Sequence, residues 1–190
     1  MDLQEYHRFC KLSLAERVAE ASINNPYVSM LQDKLLLLGG KQLCVHPGDK
    51  GKDCQGIYER GKVVTLPVSL REMEQSNCHG NVSKLFLQGK LKAIVTGYCL
   101  TTNNFTDNSL WCQHSFGLTA RRIVETTCVR DLYHGVVMTG AEAVRFAISN
   151  IPFEDVKKCI DKGTLTMKDL MSAIGQGESV EVEDNELACF

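Results

Sequence analysis

Apolar residues at Leu14, Ala15, Val18, Ala19 and Ala21 recur at helical rather than alternating spacing. Ser13 followed by Glu16 has the form of a capping box that opens this helix. Asn24-Asn25-Pro26 ends it. The next apolar stretch predicts a helix from Pro26 or Tyr27 to about Leu38, stopped by Gly39-Gly40. Residues 39–62 read as loop, with five glycines from Gly39 to Gly56, then Gly61, and Pro47 among them. Val63 to Leu66 is a short strand candidate that Pro67 limits.

The stretch from Ser76 to Met138 is denser. Asn77 can cap a helix beginning near Cys78, in which Cys78, Val82, Leu85, Phe86 and Gly89 share one face. Ala93–Leu100, Ser109–Leu118, Ile123–Thr127 and Tyr133–Met138 read as four strands, with a polar connection over Thr101–Asn108. Thr139 can cap a further helix to about Ser149. These elements predict an α+β domain: N-terminal helices, one buried helix, then an antiparallel sheet of about four strands. The domain spans 1–152 with its core at about 63–150. Short helices at Phe153–Ile160 and Thr166–Ile174 form an appendage over 153–177. The acidic segment 178–190 is expected to be a flexible tail.

Composition narrows the function classes. The chain has 190 residues, 44% hydrophobic and 23% charged, enough to bury a core without staples. A formal net charge of -2 gives no bias toward nucleic acid or an anionic membrane, so neither is expected as a partner. The longest apolar run is Leu35–Leu38, far short of the roughly 20 residues of a membrane span. Nine cysteines make an odd number, and Met1–Lys11 lacks the apolar core of a signal peptide. A reducing, cytoplasmic compartment with mostly free thiols is expected. Cys189 lies second from the end, which is no prenylation box.

Candidate chemistry starts at Cys78. A thiol in the first turn of a helix meets unpaired backbone N–H groups and the positive end of the helix dipole. Both favour the thiolate, the reactive form. On the strand Ser109–Leu118, one face carries Leu110, Cys112, His114, Phe116 and Leu118, an apolar row holding one histidine. If Leu118 pairs with Arg121 across a Thr119-Ala120 turn, Glu125 falls directly opposite His114. Cysteine catalysis uses such a set. The histidine takes the thiol proton, and the carboxylate fixes the imidazole tautomer and stabilises its cation.

The string Asn77-Cys78-His79-Gly80-Asn81 resembles the C-x-x-N helix start of papain-like and transglutaminase-like proteins. Gly97-Tyr98 in a strand follows, and His114-Ser115-Phe116 resembles H-x-W. Glu125-Thr126-Thr127 resembles D-x-T, and Tyr133-His134-Gly135-Val136 a Y-x-G-V element. The run, over about residues 75–147, is similar to small bacterial and phage members of that superfamily. The resemblance implies a papain-like/transglutaminase-like core, Cys78 as nucleophile, His114 as base and Glu125 as orienting acid. It also implies hydrolysis or transfer at an amide or thioester carbonyl, in a peptide, isopeptide or small molecule. This sequence departs from the pattern in Glu125 for aspartate, in Phe116 for tryptophan, and in His79 directly after the nucleophile. Donors for an oxyanion are the backbone N–H of Cys78 or the side chains of Asn77 or Gln75. No organic cofactor is implied.

Other readings compete. Cys78, His79, Cys112 and His114, with Cys54 or Cys128 as spares, suit zinc, although no C-x-x-C pair is present. Cys78, Cys99, Cys112 and Cys128 suit a redox sensor, while Cys10, Cys44, Cys159 and Cys189 are given no shared role. Gly39-Gly40-Lys41 lacks the spacing of a phosphate loop. His134 stands beside the proposed core as a residue that can touch the site. A non-catalytic interaction module on the same fold would recruit a protein partner through the N-terminal helices or the acidic tail.

Overall fold

The computed structural model describes residues 12–46, 51–103 and 108–175; the expected acidic tail lies outside them, as do Cys10 and Cys189. The chain runs α1 (Leu14–Asn24), α2 (Tyr27–Leu38), β1 (Gln42–Cys44), α3 (Cys54–Arg60), β2 (Lys62–Val63) and β3 (Val68–Leu70). It continues α4 (Cys78–Leu87), β4 (Ala93–Asn103), β5 (Asn108–Leu118), β6 (Ile123–Glu125) and β7 (Leu132–Met138). It closes with α5 (Gly140–Ser149), α6 (Phe153–Asp161) and α7 (Met167–Gly175).

The capping box of α1 forms as the sequence requires. The Ser13 N–H donates to Glu16 Oε2 at 2.8 Å, and the Glu16 N–H donates to Ser13 Oγ at 3.3 Å. With its first turn satisfied, α1 turns Val18 and Ala21 inward, and α2 adds Val28, Leu31 and Leu35. No helix among the described residues is long and apolar enough to cross a membrane.

The sheet departs from the expected antiparallel set of about four strands. It has seven strands in the order β2-β7-β4-β5-β6-β3, with β1 added beside β5. Two pairings are parallel, β1 with β5 and β3 with β6. The four expected strands are present as β4, β5, β6 and β7, although β6 stops at Glu125 after three residues. The three extra ones have two or three residues each, too few to show a period. Two of those, and α3, fall in or at the edge of the glycine-rich stretch read as loop.

The two faces of the sheet bury different clusters. Ile94, Tyr98, Leu100, Trp111, Val136 and Met138 face the helices in the larger core. Val156, Cys159, Leu165 and Ala173, from the expected appendage, belong to the same cluster. Val95, Cys99, Phe116, Ile123 and Tyr133 form a smaller cluster on the other face. Val64, Leu66 and Val68 pack against that smaller cluster. Val64 and Leu66 belong to the segment joining β2 to β3, and Val68 opens β3; these two strands lie at opposite ends of the strand order. Five strand spacings of about 4.8 Å separate those ends in a flat sheet, about 24 Å. The link from Val63 to Val68 reaches only about 18 Å at full extension. The sheet must therefore curl around the smaller cluster.

Candidate active site

The edges of β5 explain how the site is assembled. One edge is paired along its whole length by β4. The other is paired only near its ends, by β1 at Leu110–Cys112 and by β6 at Gly117–Leu118. No described strand covers residues 113–116 between them, and the first turn of α4 fills that gap. Cys78 and His79 straddle the edge. The Cys78 thiol stands beside the His114 imidazole and the Ser115 backbone N–H, and both lower its pKa. His79 reaches over the other face, where its Nδ1 lies 2.7 Å from Ser115 Oγ. His114 and Ser115 point to opposite faces because strand side chains alternate.

His114 is 3% exposed and Glu125 0%. Both carboxylate oxygens of Glu125 lie 3.0 Å from His114 Nε2. With Nε2 so engaged, Nδ1 is the ring nitrogen left for the Cys78 thiol. The imidazole thus bridges sulfur and carboxylate. Burial alone would lower the His114 pKa, but the hydrogen bonds to Cys78 and Glu125, and their charges, raise it to about 9. Burial alone would raise the Cys78 thiol. The His114 hydrogen bond and charge, with the N–H groups of Ser115 and His79, lower it below the ordinary thiol range.

The register differs from the expected one by two residues. Leu118 pairs with Ile123, not Arg121, and Thr119–Arg122 makes the turn, closed by the Thr119 N–H on the Arg122 carbonyl at 3.0 Å. Continuing that register puts Glu125 across from Phe116, diagonal to His114. A diagonal neighbour lies about 7–8 Å away, within reach of a long side chain. This register calls for a long acidic side chain at position 125.

Glu125 has further partners. The Thr126 N–H donates to Oε2 at 3.2 Å. The Tyr133 hydroxyl accepts the Arg130 N–H at 2.9 Å and lies close enough to the carboxylate to feel its charge. Burial, above all, and the Glu125 carboxylate push the Tyr133 phenol up, so it stays a donor. Tyr133 is a positioning residue that sequence reasoning passed over. The signal was the Y-x-G-V element itself, whose tyrosine sits on the smaller-cluster face.

The supporting residues take definite roles. Asn77 caps α4, its oxygen accepting the Gly80 N–H at 3.2 Å, while its amide donates to Glu74 at 2.8 Å. It holds the helix start rather than facing the sulfur as a free donor. Gln75 is exposed, with Nε2 3.5 Å from the Thr127 carbonyl. Asn81, 1% exposed, ties the loop to the helix through Nδ2 on the Glu74 carbonyl at 2.7 Å. The Ser115 hydroxyl donates to Thr96 Oγ1 at 3.0 Å, so it accepts from His79 Nδ1–H. Burial and the His114 charge keep the His79 pKa low, so this ring is a neutral clamp on β5.

Ser76 sits in the left-handed region at φ 59°, the only non-glycine among the described residues with positive φ. It turns the chain into the helix two residues before the thiol. Ser76→Val is expected to cost about 1–2 kcal/mol, since a β-branched residue resists that backbone. Urea unfolding of Ser76→Val beside Ser76→Gly measures it. Equal stability of the two would mean that the turn relaxes freely.

Among the described residues no group of three or more His, Cys, Asp or Glu side chains is arranged to hold a metal ion. His134 does not join the site. It is buried on the opposite face from Tyr133, where burial and Lys34 lower its pKa to about 4. The cleft lined by Phe86, Leu91, Val144 and Leu165, of about 420 Å³, lies at the far end of α4 from Cys78. No family model, curated protein or solved structure matches this chain.

Proposed function

We propose that the protein is a cysteine-dependent hydrolase or acyltransferase acting on an amide or thioester carbonyl. The observation that carries this reading is His114 set between the Cys78 thiol and a fully buried Glu125. Such a bridge lowers the thiol pKa and holds a proton ready for a leaving group. The order of Cys78, His114 and Glu125 along the chain, and their resemblance to the papain-like and transglutaminase-like pattern, support the same reading.

In the proposed reaction the Cys78 sulfur attacks the carbonyl carbon. The oxyanion forms at the positive end of α4, where first-turn backbone N–H groups, that of Cys78 among them, lack intrahelical acceptors. His114 gives its Nδ1 proton to the departing amine or thiol as the carbon–heteroatom bond breaks. Water or an amine then attacks the thioester, His114 takes its proton, and the Cys78 sulfur leaves. Glu125 stabilises the imidazolium throughout and holds the ring in place.

The test is acylation by a panel of simple aryl thioesters and activated amides, followed by intact mass and peptide mapping. A single acyl group on Cys78, formed on native protein and turned over by water or added amine, is the expected result. Acylation spread over several thiols, or none on Cys78, would overturn the proposal.

A further inference from the structure

Cys44 and Cys112 are Cα partners on the parallel strands β1 and β5, so their side chains leave the same face of the sheet. Neighbouring strands lie about 4.8 Å apart. That is inside the Cα separation of about 4.4–6.8 Å that a disulfide spans. Both residues are half-buried, and each thiol is the strongest single influence on the other. No pattern along the chain signals this pairing, because β1 is a three-residue strand in a glycine-rich stretch. Cys44, assigned no role from sequence, therefore sits on Cys112.

The third cysteine of the row is less suited. Cys99 is the antiparallel partner of Cys112 but is fully buried, with its S–H on the Cys112 carbonyl at 3.7 Å. Burial raises its thiol to about 12. The other two divide the work of an exchange reaction. The Cys112 thiol, then the charges of His46 and Arg17, lower Cys44, while the Cys44 thiol and burial raise Cys112. The pair therefore favours losing its first proton from Cys44.

We propose that Cys44 and Cys112 are an oxidation site for hydroperoxides, closing to an intramolecular disulfide that fastens β1 to β5. The Cys44 thiolate attacks a peroxide oxygen; an S–O bond forms, the O–O bond breaks, and hydroxide or alkoxide leaves. The Cys112 sulfur then attacks the Cys44 sulfur. An S–S bond forms, the S–O bond breaks, and the Cys112 proton departs with the hydroxide as water. Two electrons pass from the thiol pair to the peroxide, and a dithiol reductant returns them.

The experiment treats native full-length protein with one equivalent of hydrogen peroxide. It is then alkylated in denaturant and mapped without reductant. The expected product is a peptide linking Cys44 to Cys112, removed by dithiothreitol. In Cys112→Ser, Cys44 is expected to stop at the sulfenic acid and to be trapped by dimedone. The same link is expected in Cys78→Ala, so the result stands apart from the catalytic proposal. A Cys99–Cys112 link, a link through Cys78, or Cys44 and Cys112 still free once Cys78 is oxidised would each overturn the proposal. The wild-type map decides the matter even if a variant fails to fold.

Discussion

With His114 replaced by alanine, alkylation of Cys78 by iodoacetamide at pH 6 is expected to slow by about tenfold for each pKa unit the thiol regains. The imidazolium is the largest of the influences lowering that pKa, ahead of the backbone N–H groups of Ser115 and His79. In the native protein the thiolate forms as pH rises through the lowered Cys78 value, while His114 stays protonated until about 9. Residue-resolved labelling from pH 5 to 9 should show Cys78 reacting at lower pH than Cys99, whose thiol burial raises to about 12. A rate at pH 6 that is the same with and without His114 would dismiss the pair.

The same two shifts act oppositely on stability. His114, raised from 6.5 to about 9, adds stability that is fully present below about 6.5 and lost as pH rises through about 9. Cys78, lowered from 9.0, adds stability present above about 9 and lost as pH falls through its folded value. The two contributions therefore oppose each other, the Cys78 share growing and the His114 share fading as pH rises.

Replacing Glu125 by alanine is expected to cost about 3–5 kcal/mol, the usual result of stranding one member of a buried ion pair. The carboxylate also accepts the Thr126 N–H, so the substitution leaves more than one donor unanswered. Glu125→Gln keeps the size and one acceptor and should cost less. Glu125→Asp is the informative change: the diagonal register demands the longer side chain, so aspartate should fall short of His114. Urea unfolding measures the three, and labelling of Cys78 follows the imidazole. An aspartate variant that matches the wild type in both would refute the diagonal geometry.

Much of the architecture was legible where elements are long. The periodicity of residues 14–38, 93–118 and 132–149 placed helices and strands close to their observed ends. The sheet's mixed character was not legible, because β1, β2 and β3 owe their existence to neighbours rather than to a pattern of their own. The same reason hid Cys44 beside Cys112. At the site, the helix start and the histidine face were readable from residue type and spacing. The Glu125 register was not, because Thr119 and Arg122 close a longer turn than the one assumed. The contribution of Tyr133 was also hidden, since it depends on how β7 and β6 approach across the curled sheet.

Because the first turn of α4 is seated against an opening in the β5 edge, the acidity of Cys78 belongs to the finished fold and not to the polypeptide. Before β5 and β6 are in place, the nearest helix has no imidazole to lean on and the sulfur is one ordinary thiol among nine. At mildly acidic pH the Cys78 of a newly made or damaged chain then reacts more slowly than that of the folded one. An electrophile that marks Cys78 there would favour intact molecules, making the site its own reporter of folding quality.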